Sequence, residues 1–451
     1  MGKKHLLLAF CAFTCCAYSY AESPKSMQIW LKDGQQKSFY VSDVDSVTFG
    51  IAEEQPYQEL DEWTMPPAIK NAAPLSLSDN EMEYVKKGNE FALRFFNEIC
   101  QNDTIQDNKF FSPISLQIAL AMCANGASEK GALEIANNLG FSQGDELSEM
   151  NKYYNKVYLS MNSEIDGSVF SIANAIWPVK GSTVLEPFLS TMREQYYATV
   201  RHLDYEHQSK AAGDTICKWA DMATNGKIKD LSLRPNDQSR LVINNACYFK
   251  ADWQTEFDSA LTKTDTFTNI FGKKEQVEMM EQIVYTYQKR EWGKEVTLPY
   301  HGPYSILLIL PDDGVSVEKA IASINTEDLI HPNYSDLNAL LQLPKFKIKD
   351  AIDLKDVTAK LGMTDIFDQF PNAIDEEISI SRMMQDTYIK LDEHGTEAAA
   401  VTSIAADNAV SINTPDLTVK FDKPFGFAIV ERNTGMILFL GKYTQVPQEE
   451  N

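Results

Sequence analysis

Side chains capable of acid–base, nucleophilic or metal chemistry are scattered along this chain. Its six histidines are His5, His202, His207, His301, His331 and His394. No HExxH helix, GxSxG nucleophile elbow or phosphate-cradling glycine loop accompanies them. His202, Asp204 and Glu206 alternate, so one face of a strand could present all three to a metal ion. Exposed polarity on that strand is the simpler reading. Of the seven cysteines, Cys11, Cys15 and Cys16 lie near the start, while Cys100, Cys123, Cys217 and Cys247 are widely separated in apolar surroundings. There is no CxxC pair and no zinc-like spacing. Buried free thiols are expected, although export would permit pairing. The residue chemistry therefore points away from an enzyme and calls for no cofactor or metal.

One segment has an unusual composition. From Gly395 through Ala406 and on to Pro415 the chain is mostly Ala, Ser, Thr and Val, without an aromatic residue. A flexible linker or a short alanine-rich helix is the bland reading. The segment nevertheless lies about 30 residues before the C-terminus, between two well-patterned strand regions, and a loop of more than about 12–15 residues inside a compact domain is usually functional.

The elements that must hold this segment are legible around it. Asn80-Glu81 opens an amphipathic helix with Val85, Phe91, Phe95 and Ile99 at helical spacing. Ser112-Pro113 starts a second helix, with Pro at its first position and Ile114, Ile118, Leu120 and Met122 on an apolar side. Leu241 to Phe249 reads as a buried strand, and Ser305 to Leu310 is an apolar run stopped by Pro311-Asp312-Asp313-Gly314. Phe425 to Glu431 and Met436 to Gly441 are strands joined at Asn433-Thr434-Gly435. Helices early and strands late, without regular βαβ alternation, predict an α+β fold.

The N-terminal part reads separately. Lys3, Lys4 and His5, the apolar run Leu6 to Cys16, and Ser19-Tyr20-Ala21 form a signal peptide pattern over 1–21. A lipoprotein, cleaved before one of the early cysteines, is the rival. Secretion or a lipid anchor at the cell surface follows, and no stretch reaches the roughly 20 apolar residues that span a bilayer. Residues 22–50 form a small β module, with Asp33-Gly34 as a hairpin turn between Gln28 to Leu31 and Phe39 to Val41. Asp43 to Phe49 resembles a short sequence common near the N-termini of exported Bacteroidetes proteins. Residues 51–79, with Pro56, Pro66, Pro67 and Pro74, read as a linker.

The chain carries 41 basic and 64 acidic side chains, a formal charge of −23. Nucleic acid, heparin-like polyanions and anionic membranes are disfavoured as partners.

Several segments match a known family in order. Asn108-Lys109-Phe110-Phe111-Ser112-Pro113-Ile114-Ser115 is similar to a second-helix motif of the serpins, and Asn225-Gly226-Lys227-Ile228 to another marker. Asn245 with Tyr248-Phe249-Lys250 and Trp253, Leu343-Pro344-Lys345-Phe346, and Phe421-Asp422-Lys423-Pro424-Phe425 continue the series. Asp392-Glu393 followed by Gly395-Thr396-Glu397-Ala398-Ala399-Ala400 resembles a serpin reactive-centre hinge. The resemblance runs from about Asn80 to Val446.

This resemblance implies a large central sheet A, sheets B and C, a helical N-terminal half and an exposed reactive-centre loop over 393–418, in a domain spanning 80–447. It implies a single-use inhibitor, a monomer whose covalent partner is a serine protease. The protease attacks the loop and forms an acyl-enzyme, and the freed loop inserts into sheet A as a strand. Glu393, Gly395, Thr396, Glu397, Ala398, Ala399, Ala400, Val401 and Thr402 form the hinge. Alternation would turn Thr396, Ala398, Ala400 and Thr402 inward, and all four are small. About twelve new backbone hydrogen bonds would contribute on the order of 10 kcal/mol. The family register sets Ala409 before the scissile bond and Val410 after it, which suits an elastase-like pocket. Ser112, Ser115 and Asn245 match the polar region beneath the opening sheet, and Trp253 the point where the loop first enters. Capping by the serines and plain core packing of the tryptophan are their structural readings. Gln385 stands where the family has a histidine, which puts histidine-linked control of opening in doubt. A non-inhibitory member acting as carrier, chaperone or binding protein is the alternative.

Overall fold

The structure is a computed structural model and describes residues 26–30, 36–40, 69–70, 75–101, 103, 106–141, 146–229, 234–330, 335–375, 379–396 and 414–447. The chain divides into two compact units, residues 1–58 and 59–451. In the first, β1 (Ser26–Trp30) and β2 (Gln36–Tyr40) form an antiparallel hairpin in which Ser26 pairs with Tyr40 and Trp30 with Gln36.

The second unit begins with β3 (Ile69–Lys70) and α1 (Asp79–Gln101). Ser78 and Glu81 start α1 reciprocally. The Ser78 backbone N–H and hydroxyl donate to the Glu81 carboxylate at 2.7 and 2.9 Å, and the Glu81 N–H donates back to the Ser78 hydroxyl at 3.4 Å. Val85, Phe91, Phe95 and Ile99 form the buried stripe of α1, as their spacing predicts. Next come β4 (Lys109–Phe111) and α2 (Pro113–Gly126). Ser112 is the N-cap of α2 and Pro113 its first residue. The sequence suggests one apolar side for α2, but the helix is buried nearly all round. It packs among α1, α3 (Glu129–Leu139), α4 (Glu146–Met161) and two strands, which leaves no face for solvent.

From there the chain turns strand-rich. It runs through β5 (Ser163–Ile165), β6 (Ser168–Pro178), α5 (Glu186–Gln195), β7 (Thr199–Val200), α6 (Tyr205–Ala223) and β8 (Leu241–Asp252). Then follow β9 (Lys263–Thr268), β10 (Lys274–Val284), β11 (Tyr287–Arg290), β12 (Gly293–Pro299), β13 (Tyr304–Pro311), α7 (Val317–Ala322), β14 (Ala339–Pro344), β15 (Phe346–Asp353) and α8 (Lys355–Lys360). The last strands are β16 (Arg382–Asp392), β17 (Gly395–Thr396), β18 (Leu417–Lys420), β19 (Phe425–Glu431) and β20 (Met436–Tyr443).

These strands make three sheets, so the α+β expectation holds. Sheet A has the order β15-β16-β17-β8-β6-β5-β3, with β7 beside β6. Sheet B is β11-β12-β13-β19-β20-β4, and sheet C is β18-β14-β10-β9. β13, β19 and β20 are buried along their whole length, which explains why they read as continuous apolar runs. The main core is rich in rings such as Phe91, Phe95, Phe111 and Phe439, each worth about 2–3 kcal/mol when fully buried. A second, smaller core lies between α6 and sheet A around Trp177, Trp219, Tyr205, Ile216 and Val242. Cys100, Cys123, Cys217 and Cys247 are buried, and among the described residues no disulfide joins any two of them. Among the described residues no helix is long and apolar enough to cross a membrane.

Candidate functional site

The two central strands of sheet A pair along only part of their length. β8 and β16 run parallel and bond to one another from Val242 to Ala246 and from Arg382 to Asp386. Further up, the two-residue strand β17 lies between them, antiparallel to both. Thr396 sits opposite Leu391 on one side and Ala251 on the other, and Gly395 opposite Asp392 and Asp252. Among the described residues, no strand separates 247–250 from 387–390. The sheet is thus forked, and the first two residues of the small-residue segment already occupy the mouth of the fork.

Glu393 and His394 form the two-residue turn that folds β17 back onto β16. Gly395 has φ of 154°, and a Cβ there would come within 2.2 Å of the Ala251 carbonyl oxygen, so only glycine fits. The turn is tied down on several sides. The Glu393 carboxylate accepts from Lys345 Nζ at 3.0 Å and from the Thr262 hydroxyl at 2.9 Å, while its carbonyl accepts from the Phe257 N–H at 3.0 Å. Burial by itself would raise the Glu393 pKa, but Lys345 and the hydrogen bonds outweigh it and hold the group below its usual value. His394 Nδ1 lies 3.0 Å from a Glu256 carboxylate oxygen, and its backbone N–H donates to Asp392.

Trp253 roofs the fork. Its indole N–H donates to the Asp392 carbonyl at 2.9 Å, and its backbone N–H to the His394 carbonyl at 2.8 Å. The ring stacks on Tyr300 with centroids 4.4 Å apart and an 8° interplanar angle. The Tyr300 hydroxyl then meets the Thr396 hydroxyl at 2.6 Å. Burial pushes the Tyr300 phenol pKa far up, which keeps the hydroxyl neutral, able to donate or accept. Thr396 is 1% exposed, so this contact is made away from water.

Ser112, Ser115, Asn245 and Gln385 converge lower in the fork. Asn245 and Gln385 face each other across the β8–β16 pairing, and Asn174 on β6 faces Asn245. The Ser112 N–H donates to Gln385 Oε1 at 2.8 Å, and Gln385 Nε2 donates to the Ser112 carbonyl at 3.0 Å and to Asn245 Oδ1 at 3.4 Å. The Ser112 hydroxyl donates to the Leu438 carbonyl at 2.8 Å while capping α2. The Ser115 hydroxyl also bonds Asn245 Oδ1, and Asn245 Nδ2 donates to Asn174 Oδ1 at 2.8 Å. One polar row thus crosses three strands inside an apolar interior, and no member of it ionises near neutral pH.

At its other end the segment returns to a different sheet. The Asp416 N–H donates to the Asn338 carbonyl at 3.0 Å, and the Asn338 N–H donates to the Asp416 carboxylate at 2.9 Å. β18 then pairs in parallel with β14. Residues 397–413 therefore connect sheet A to sheet C. Glu397, Ala398, Ala399, Ala400, Val401, Thr402, Ala409 and Val410 lie outside the described residues.

His202, Asp204 and Glu206 are not brought together. His202 Nε2 bonds the Ser182 carbonyl at 2.9 Å, Asp204 caps α6 through the His207 N–H, and Glu206 pairs with Arg240 at 3.4 Å. Strand alternation fails because the helix begins at Tyr205. Tyr300 and Asn174 are site residues that sequence reasoning missed. Asn174 had a signal, as a lone polar residue in the apolar run Ile172 to Pro178, but Tyr300 is recognisable only once Thr396 lies against it.

Comparisons with known proteins agree with this geometry. A family model described as Serpin (serine protease inhibitor) matches residues 86–446. An uncharacterized serpin-like protein of Thermococcus kodakarensis is 32% identical over 372 residues, covering 80% of this chain and 85% of its own. Human neuroserpin is 31% identical over 359 residues, covering 74% and 85%. Among solved structures, the thermophilic serpin tengpin in its native state superposes with a TM-score of 0.73 at 26% identity, covering 84% of this chain and 97% of tengpin. Human thyroxine-binding globulin complexed with its hormone superposes at 0.74 and 26%, covering 82% and 100%.

Proposed function

The chain belongs to the serpin family, and from that premise we propose that it is a single-use inhibitor of elastase-like serine proteases. The observation that carries this reading is the forked sheet with Gly395 and Thr396 already paired on both sides. Continuing their register after cleavage would bring Ala398 between Phe249 and Ile389, Ala400 between Cys247 and Thr387, and Thr402 between Asn245 and Gln385. The two alanines would meet large or buried neighbours without overpacking them. The Thr402 hydroxyl would arrive at the polar row, where a donor and acceptor is needed because insertion parts Asn245 from Gln385.

In the reaction, the protease serine oxygen attacks the Ala409 carbonyl carbon. The peptide bond to Val410 breaks, the Val410 amine leaves with a proton, and Ala409 stays bound as an ester. Insertion down to Ala409 covers about 14 residues, roughly 45 Å at ~3.3 Å per residue. The tethered protease is dragged that distance, and its distorted site no longer hydrolyses the ester. Ala409 presents neither a charge for a trypsin-like pocket nor a ring for a chymotrypsin-like one. The signal-peptide pattern at 1–21 supports secretion, or surface anchoring through one of its cysteines, and with it an extracellular target protease.

The test mixes the mature protein with pancreatic elastase. Inhibition by this route produces an SDS-stable covalent complex, a new N-terminus at Val410 and a sharp rise in melting temperature after loop cleavage. Clean cleavage with neither the complex nor the rise would make the protein a non-inhibitory family member, a carrier or binding protein.

A further inference from the structure

Charge on the outer face of sheet A falls into rows that cross β8, β17, β16 and β15. Gly395 lies between Asp252 of β8 and Asp392 of β16. One row further on, the same register brings Lys250 of β8 level with Lys390 of β16, and Lys390 pairs directly with Lys347 of β15. Ala251, Leu391 and Phe346 are buried, so alternation turns Lys250, Lys390 and Lys347 outward. Lys347 and Lys390 are exposed and Lys250 is half-buried. Like charges directly opposite one another in an antiparallel pair are destabilising. The Lys347 ammonium instead lies 5.7 Å from the centre of the Tyr388 ring, and Lys390 Nζ donates to the Asp392 carboxylate at 2.9 Å. Among the described residues no carboxylate pairs with Lys250 or Lys347. Three cations thus share one row in a chain of net charge −23.

We propose that Lys250, Lys390 and Lys347 form a cationic seat that captures the Glu397 carboxylate as the cleaved loop enters sheet A, and that this seat fixes the register of insertion. The proposal rests on the inhibitory reading above. Thr396 lies between Ala251 and Leu391 and turns inward onto Tyr300. In the same register the next residue falls between Lys250 and Lys390, and alternation turns its side chain outward onto the lysine face. Neighbouring strands lie about 4.8 Å apart, so a glutamate there has a lysine within reach on either side. Lys347, one strand further, adds its charge within a screening length of about 10 Å. A slip of one residue would turn Glu397 toward the apolar interior, and a slip of two would leave Gly395 or Ala399 between the lysines. The seat is therefore filled by a carboxylate in one register alone. Glu397 is also the first residue to pair after Thr396, so its capture falls at the start of insertion, the step that competes with deacylation.

The experiment follows covalent complex formation over a range of pancreatic elastase concentrations, which separates the half-saturating concentration from the limiting rate. It compares the wild-type protein with Glu397→Gln, with Lys250→Gln/Lys390→Gln and with the variant carrying all three changes. Lys349→Gln is the control, because Lys349 lies opposite Tyr388, one row on, where the entering residue would be Ala399. The limiting rate should fall about fivefold, the size of two exposed ion pairs, in both Glu397→Gln and the double lysine variant. The combined variant should be no slower than either, since each change removes the same contact. Half-saturation should stay at the wild-type value throughout, and Lys349→Gln should match wild type in both quantities. Limiting rates equal to wild type, or losses that multiply in the combined variant, would overturn the seat and leave the inhibitory reading standing. A wild-type protein cleaved without a covalent complex or a rise in melting temperature overturns that reading, and the seat with it. Should loss of Lys390 disturb the hinge through Asp392, Lys250→Gln alone carries the test, with an expected loss of about twofold.

Discussion

Thr396 and Gln385 show how much depends on single side chains in the forked sheet. Thr396 is enclosed, with its hydroxyl on Tyr300 and its backbone paired on both sides. An arginine there would have to be buried without a carboxylate partner, at a cost of several kcal/mol. On the proposed inhibitory mechanism, Thr396→Arg should therefore slow insertion until deacylation wins, so that the loop is cleaved as a substrate. Gel analysis would then show cleaved protein in place of the covalent complex. Gln385 supplies both an acceptor and a donor to Ser112 and reaches Asn245, and its amide does not titrate. The rate of sheet opening should stay flat between about pH 5 and 8 once the protease's own profile is divided out, whereas Gln385→His should make it vary as the imidazole charges below about pH 6.5. A protonated imidazole cannot accept from the Ser112 N–H, so the change would come from a lost hydrogen bond. Stopped-flow inhibition across that pH range checks both halves of the prediction.

At the scale of the element, the turn between β16 and β17 is the device that holds the hinge. Glu393 anchors it through Lys345 and Thr262, with a carboxyl pKa below its usual value. A group whose folded pKa is lowered contributes stability fully above its unfolded pKa, about 4.3, and loses it as pH falls through the lower folded value. Glu393→Gln should accordingly cost about 2 kcal/mol at pH 7, and the gap to wild type should close as the solution is acidified below about pH 4. Chemical denaturation at pH 7 and near pH 3.5 measures it. A gap that persists at low pH would mean that packing, rather than charge, anchors the turn. Gly395 serves the same element, because the chain can press against the Ala251 carbonyl only where no Cβ intervenes.

For the whole molecule, charge is the dominant long-range property. A net charge of −23 should draw basic proteases toward the chain and disfavour polyanions. The inhibition rate of a cationic elastase should fall as salt rises from about 20 to 500 mM, because the screening length shrinks from roughly 20 Å to below 5 Å. Rates independent of salt would show that encounter is governed by the loop and nearby contacts alone. The energetics of loop insertion would likewise belong to the whole sheet. A loop strand pairing with both β8 and β16 would add backbone hydrogen bonds on the order of 10 kcal/mol. That gain is reached only by separating Val242–Ala246 from Arg382–Asp386.

Much of this was legible in residue order. The stripe of α1, the Ser112-Pro113 start of α2, the buried strands β8, β13, β19 and β20, and the small residues from Gly395 onward follow local rules of periodicity, capping and side-chain size, which need no knowledge of distant neighbours. The resemblance between ordered motifs and a serpin likewise needs only order. Other features were settled by the tertiary structure. Burial of α2 on every side, the encounter of Tyr300 with Thr396, the row from Asn174 through Asn245 to Gln385, and the failure of His202, Asp204 and Glu206 to converge all join or separate residues through packing. Such contacts link positions tens to hundreds of residues apart, and side-chain type and local spacing carry no information about which distant group fills the remaining space. The composition of the loop could thus be read along the chain, whereas the place where Gly395 and Thr396 enter the sheet exists only because two distant strands flank them.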